Sequence, residues 1–162
     1  MTDQSLTLRS VGVVRSDVRD PADAPRQGDE DECLAWVEID PAYAEGLTGV
    51  EEGAELLVLT WLHLAERDVL VVHPRGDEAR PLTGVFFTRS PGRPNPIGLH
   101  RVRVLARDGA RLRVTGMEAV DGTPVVDLKA VLGGAGTAEA YPAGLATVAA
   151  SAARARPGSR SR

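Results

Sequence analysis

Apolar positions along this chain come in short runs, most of them closed by glycine, proline or aspartate. Leu6 to Val14 reads as a first strand, with Gly12 marking a bulge or a close backbone approach. Arg15 to Asp31 is a long polar loop containing Pro21, Pro25 and Gly28, and loops of that length in compact domains are usually functional or mobile. Cys33, Ala35, Val37 and Ile39 share one face of a half-buried strand. Asp40-Pro41 is the signature of a helix N-cap with proline at the first helical position, opening a short helix through Tyr43 to Leu47. Further strands are predicted at Leu56–Leu64, Val69–His73 and Gly84–Thr88. Arg101–Arg107 then alternates arginine with Val102, Val104 and Ala106. Asp108-Gly109 signals a hairpin, with Leu112 and Val114 on the return strand. Asp121-Gly122-Thr123-Pro124 is another turn, and Val125–Leu128 a closing strand. About eight strands with little helix and short links predict a mainly β protein, a single antiparallel β-barrel.

Residues 6–132 form the predicted barrel domain. Residues 133–162 are an Ala/Gly/Arg-rich extension with a short helix expected at 146–155 and a disordered, flexible end. At 162 residues the chain is long enough to bury a core without disulfides. The single Cys33 excludes an internal disulfide and reads as a small buried hydrophobe. No apolar run approaches the roughly 18–20 residues of a membrane span, and the N-terminus lacks a signal-peptide pattern. The expectation is a cytoplasmic protein without membrane association.

The formal charge of −4 is unevenly distributed. Residues 1–78 hold 18 acids and six arginines, whereas residues 79–162 hold five acids and 13 basic residues. Between Arg80 and Arg113 lie eight arginines and one acid, Asp108. Such a basic stretch can attract a polyanion or can be a solvated strand face.

Familiar catalytic signatures are missing. The chain has no phosphate-cradling G-x-x-x-x-G-K-[ST], no G-x-G-x-x-G and no C-x-x-C. His63, His73 and His100 lack paired metal-ligand spacing, so no metal is expected. What stands out is Gly84–Gly98. Pro91, Pro94 and Pro96 fix their own backbone and restrict the preceding residues, framing Arg89, Arg93 and Asn95. Pro25-Arg26-Gln27, His63 and the Asp121 turn with Asp127 and Lys129 are the other polar motifs near strand ends.

These motifs carry a resemblance. Thr88-Arg89-Ser90-Pro91 with Arg93-Pro94-Asn95-Pro96-Ile97-Gly98-Leu99 is similar to the signature of the TsaA-like (TrmO-type) proteins. Asp121-Gly122-Thr123-Pro124-Val125 followed by Asp127-Leu128-Lys129, and Pro25-Arg26-Gln27 in the first loop, also match, in the family's order. The resemblance covers about residues 8–132. It implies an S-adenosyl-L-methionine-dependent methyltransferase on a β-barrel, best known for N6-methylating threonylcarbamoyladenosine beside the tRNA anticodon, and a homodimer with its site near the subunit interface. It implies a cofactor site built from Pro25, Arg26, Gln27, His63, Leu64, Arg89 and Leu99, closed by Gly116–Gly122, in which Gly116, Glu118, Ala119, Asp121 and Gly122 take part.

Three features depart from the family pattern. Glu118 stands where aspartate is usual, Ala130-Val131 replaces Pro-Tyr, and the C-terminal domain of larger bacterial members is not matched. The transfer itself is an in-line displacement that needs alignment, and an amide-like acceptor nitrogen must lose a proton. Asp121 is the candidate base, with Asp127 the alternative. Arg93, Asn95, Lys129, Arg101 and Arg103 are the candidate substrate contacts. Arg89 and Arg93 suit a cofactor carboxylate, a substrate carboxylate or a phosphate equally well. Alternative readings keep the cofactor with another RNA or a small-molecule acceptor, or make the chain a non-catalytic binding protein.

Overall fold

In the computed structural model, residues 6–23 and 33–131 are described. Eight strands follow in chain order: β1 (Gly12–Ser16), β2 (Ala35–Ile39), β3 (Glu55–Trp61), β4 (Val71–Val72), β5 (Thr83–Gly84), β6 (Ile97–Asp108), β7 (Arg111–Thr115) and β8 (Pro124–Ala130). Six of them close into an antiparallel barrel in the order β1-β2-β7-β6-β3-β8, with β8 pairing back to β1. β4 and β5 form a separate two-stranded ribbon.

Strict alternation builds the barrel interior. Ala35, Val37 and Ile39 on β2, and Leu56, Val58 and Thr60 on β3, point inward. All but Thr60 join Val14, Val102, Val104, Leu112, Val114 and Val125 in one core cluster. Branched side chains of this size fill the interior of a small barrel. Gly12 approaches β2 so closely that a Cβ would overlap the Glu38 carbonyl oxygen, which accounts for glycine there. Asp40 caps a 3-10 helix at Pro41–Leu47 by accepting from the Ala42 N–H at 2.8 Å, as the Asp-Pro signature predicts. The hairpin at Asp108-Gly109 is present, with Gly109 at φ 58°.

Four expectations are corrected. The first strand begins at Gly12, six residues later than predicted, because Ile39 of β2 pairs with Gly12 and the ladder between these two strands has no partner further back. Val69–His73 reduces to the two residues of β4. Gly84–Thr88 is not a buried strand. After Gly84 the chain turns into a 3-10 helix at Val85–Phe87, where Val85 is buried but Phe86 and Phe87 are 83% and 91% exposed. Its pairing partner β4 is only two residues long, and the Thr88 N–H and hydroxyl both bond back to the Val85 carbonyl. Finally, β6 starts at Ile97, inside the proline-rich signature, because Trp61 at the end of β3 pairs with it. The expected 133–162 extension and its helix lie outside the described residues.

Candidate functional site

Strand directions decide what comes together. One end of the barrel gathers the C-terminal ends of β1, β3 and β7 and the N-terminal ends of β2, β6 and β8, because Ser16 pairs with Ala35, Trp61 with Ile97 and Ala35 with Val114. His63 and Leu64 leave β3 at this rim, Leu99 enters on β6, and Gly116 to Gly122 links β7 to β8 across it. The long first loop also starts here, after Ser16. Its Pro25, Arg26 and Gln27 lie outside the described residues.

The Asp121 turn is locked to β1 from several sides. Asp121 accepts from the Ser16 N–H at 3.2 Å and from Arg19 Nη1 at 2.6 Å. Ser16 Oγ donates to the Ala119 carbonyl at 2.7 Å. The Asp121 and Gly122 N–H groups donate to the Val18 and Val14 carbonyls. Gly122 takes φ 80°, which favours glycine, and the buried Thr123 hydroxyl donates to the Val120 carbonyl. Asp-Gly-Thr-Pro is thus a sequence with a local physical reason at each of its first three positions.

The proline-rich loop is braced by its own arginine. Arg93 donates through Nε to the Ser90 carbonyl at 2.8 Å and through Nη2 to the Val85 and Thr88 carbonyls at 2.9 and 2.7 Å. Its backbone N–H reaches the Glu66 carbonyl, tying the loop to the segment after β3. Arg93, expected as a substrate contact, therefore has its guanidinium engaged inside the loop. Arg89, by contrast, is exposed and has no side-chain partner among the described residues. Leu64 and Leu99, 58% and 47% exposed, present apolar surface at the same end of the barrel.

Beneath the loop, Thr60 and His100 meet inside the barrel with Thr60 Oγ1 and His100 Nε2 3.0 Å apart. Burial pushes the His100 pKa down from 6.5 to about 4, so the ring is neutral near pH 7. Gly98, opposite Thr60, has no space for a side chain.

Other candidates are placed elsewhere. Asp127 sits opposite Leu59 on the wall, pairs with Lys129 at 2.6 Å, and lines a cleft of about 170 Å³ with Tyr43, Val11 and Leu128. Lys129 and Arg101 both pair in register with Leu57, towards the far end, and Arg101 is neutralised by Glu55 at 3.2 Å. Arg103 is exposed opposite Glu55. Asn95 is exposed, and its carbonyl accepts from Ile97. Ser16, Thr60 and His100, which strand register brings to this rim, and Arg19, which reaches it from the loop after β1, were missed from sequence. Among the described residues, no group of three His, Cys, Asp or Glu could hold a metal ion.

Residues 13–135 match the sequence family described as the tRNA-methyltransferase O N-terminal domain. The chain belongs to that family. Relatives of this TrmO-type chain include a probable S-adenosyl-L-methionine-binding protein of Methanothermobacter thermautotrophicus, 47% identical over 80% of this chain and 92% of its own. An S-adenosyl-L-methionine-binding protein of Archaeoglobus fulgidus is 43% identical over 76% of this chain and 88% of its own. A longer probable S-adenosyl-L-methionine-binding protein of the same organism, 48% identical, is covered over only 33% of its length. Among solved structures, TrmO from Pseudomonas aeruginosa superimposes with a TM-score of 0.64 at 28% identity, over 80% of this chain and 57% of that one. The chain thus spans little more than half of that TrmO. The fold expectation, mainly β and TrmO-like, holds.

Proposed function

We propose that this TrmO-type chain is an S-adenosyl-L-methionine-dependent methyltransferase whose acceptor is tRNA, at N6 of threonylcarbamoyladenosine beside the anticodon. The observation that carries this reading is the convergence of the Arg89–Asn95 loop, the end of β3 and the Gly116–Gly122 segment on one barrel rim. No helix among the described residues is long and apolar enough to cross a membrane, and we read the protein as cytoplasmic.

The residues present fit the cofactor chemically. Arg89, without a side-chain partner among the described residues, offers its guanidinium for a carboxylate, and Leu64 and Leu99 offer apolar surface for an adenosine. His63, exposed beside Leu64, and the backbone of Gly116, Glu118, Ala119 and Gly122 complete the proposed binding set, together with Pro25, Arg26 and Gln27. S-adenosyl-L-methionine, when bound, supplies a methyl group by displacement at its sulfonium. The chain's part is alignment, through a loop held by Arg93 and a turn held by Ser16 and Arg19. Asp121 is the proposed proton acceptor. Each of its carboxylate oxygens keeps a further lone pair beyond its contacts with Ser16 and Arg19. Asp127 faces a different cleft, which favours Asp121 of the two. If Asp121→Asn binds cofactor normally and keeps full turnover, the base role is removed.

The reading also includes a homodimer. Phe86 and Phe87 stand 83% and 91% exposed near Leu70 and Leu82, each 62% exposed, and exposed apolar side chains gathered in this way suit a protein–protein contact.

A second reading, a cofactor-binding protein without tRNA chemistry, is favoured by relatives named for binding alone. Release of S-adenosylhomocysteine separates the two. Release with total tRNA supports transfer to RNA. Release only with small-molecule extract moves the acceptor. Tight cofactor binding without release in either supports the second reading.

A further inference from the structure

The outer wall of the barrel below the site rim carries an unusual row. Arg15 on β1 pairs in register with Trp36 on β2, and Trp36 pairs with Arg113 on β7. Arg103 on β6 is the next basic residue across, opposite Thr115, two positions along from Arg113. All lie on the solvent face, since Val14, Val37, Val114 and Val104 beside them are buried. Four adjacent strands spaced about 4.8 Å apart make this row roughly 14 Å wide.

Among the described residues, the charges of this wall are not all paired. Arg15 and Arg111 share Glu38, each at 3.1 Å, and Arg101 takes Glu55. Arg107 is turned away to the carbonyls of Leu47 and Val50. Arg103 and Arg113 have no side-chain partner among the described residues. They sit diagonally on neighbouring strands, about 7–8 Å apart at the backbone, a spacing comparable to the phosphate step of an extended strand. Trp36 between the arginines already carries the Arg111 guanidinium 4.6 Å from its ring centroid. Arginines interleaved with an aromatic form the surface that single-stranded nucleic acid uses, phosphates on the cations and a base against the ring. The chain as a whole is acidic, at −4, so this local excess of cations is a feature of one wall and not of composition.

The row also adjoins the proposed site. Arg15 immediately precedes Ser16, which holds Asp121, and Arg113 lies three residues before Gly116. We propose that this wall, Arg15–Trp36–Arg113 with Arg103, docks the sugar-phosphate backbone of a single-stranded RNA segment and presents a neighbouring nucleotide to the rim. The inference rests on the reading of the chain as an RNA-acting enzyme. It differs from the alternating arginines expected on β6 alone, because Arg101 is matched by Glu55 while Arg113, on the next strand, is left with Arg103.

The test is binding of the full chain to labelled total tRNA between about 50 and 200 mM salt, for wild type, R103E/R113E and the neutral R103Q/R113Q. Loss of two phosphate contacts should weaken binding at least about tenfold and reduce the slope of log affinity against log salt by about 1.4. S-adenosyl-L-methionine affinity and melting temperature, read on the same samples, should stay at wild-type values. Wild-type affinity and slope in both variants would overturn the docking wall while leaving the methyltransferase reading intact. A wild-type protein that binds no tRNA at any of these salt concentrations would overturn both. Variant-sensitive tRNA binding without methyl transfer would sustain the wall and overturn the methyltransferase reading.

Discussion

Thr60 Oγ1 lies 3.0 Å from His100 Nε2, and together the two atoms fill the space that a side chain on Gly98 would need. A Cβ at Gly98 would overlap Thr60 Oγ1 and stand 2.8 Å from His100 Nε2 and 2.9 Å from Leu62 Cδ2. The glycine that ends the proline-rich signature is therefore there for packing: it lets β6 lie against β3 at the rim where the loop begins.

Gly98→Ala should cost about 1–3 kcal/mol, since neither buried neighbour can withdraw without breaking the Thr60–His100 bond. Urea midpoints measure it. The same substitution in a Thr60→Ala background should cost less, because the overlapping oxygen is gone. Equal costs in the two backgrounds would remove Thr60 as the obstacle.

His100 makes folding sensitive to acid. Its folded pKa, about 4, lies below the ordinary 6.5, so the unfolded chain binds more protons between those values. Stability is then complete above pH 6.5 and falls as pH drops towards 4, by up to about 3 kcal/mol. Replacing His100 with Gln should flatten the pH dependence of the unfolding free energy in that window. An unchanged slope would mean the ring titrates normally in the folded protein.

Arg93 should behave as a positioning residue. Lysine keeps the charge but cannot fork to the Ser90, Val85 and Thr88 carbonyls. Arg93→Lys should lower cofactor affinity about tenfold, the equivalent of about 1.4 kcal/mol, while leaving the barrel's melting temperature nearly unchanged. Isothermal titration reads the first and calorimetry the second. Wild-type affinity would show that the loop holds its shape without the brace.

Much of the barrel was legible because its signals are local. The alternation at Ala35, Val37 and Ile39, the Asp40-Pro41 cap and the Asp108-Gly109 turn each depend on a few adjacent residues. Val85-Phe86-Phe87 misled because an apolar run reads as a strand whether or not a partner strand exists, and β4 offers only two residues. The site motifs were visible, but their wiring was not. Arg93 reads from sequence as a ligand contact, and its bonds to the Val85, Thr88 and Ser90 carbonyls are a second role that no local pattern encodes. Arg101 and Arg103 look equivalent, and only the position of Glu55 across the sheet separates them. Arg19 joins Asp121 across 102 residues, a contact that no local pattern encodes.

The most direct measurement is mass spectrometry of nucleosides from tRNA incubated with S-adenosyl-L-methionine and this protein. Conversion of threonylcarbamoyladenosine to a species one methyl group heavier, lost in Asp121→Asn, is the predicted result. An unchanged nucleoside profile, with cofactor bound and the protein folded, would contradict it.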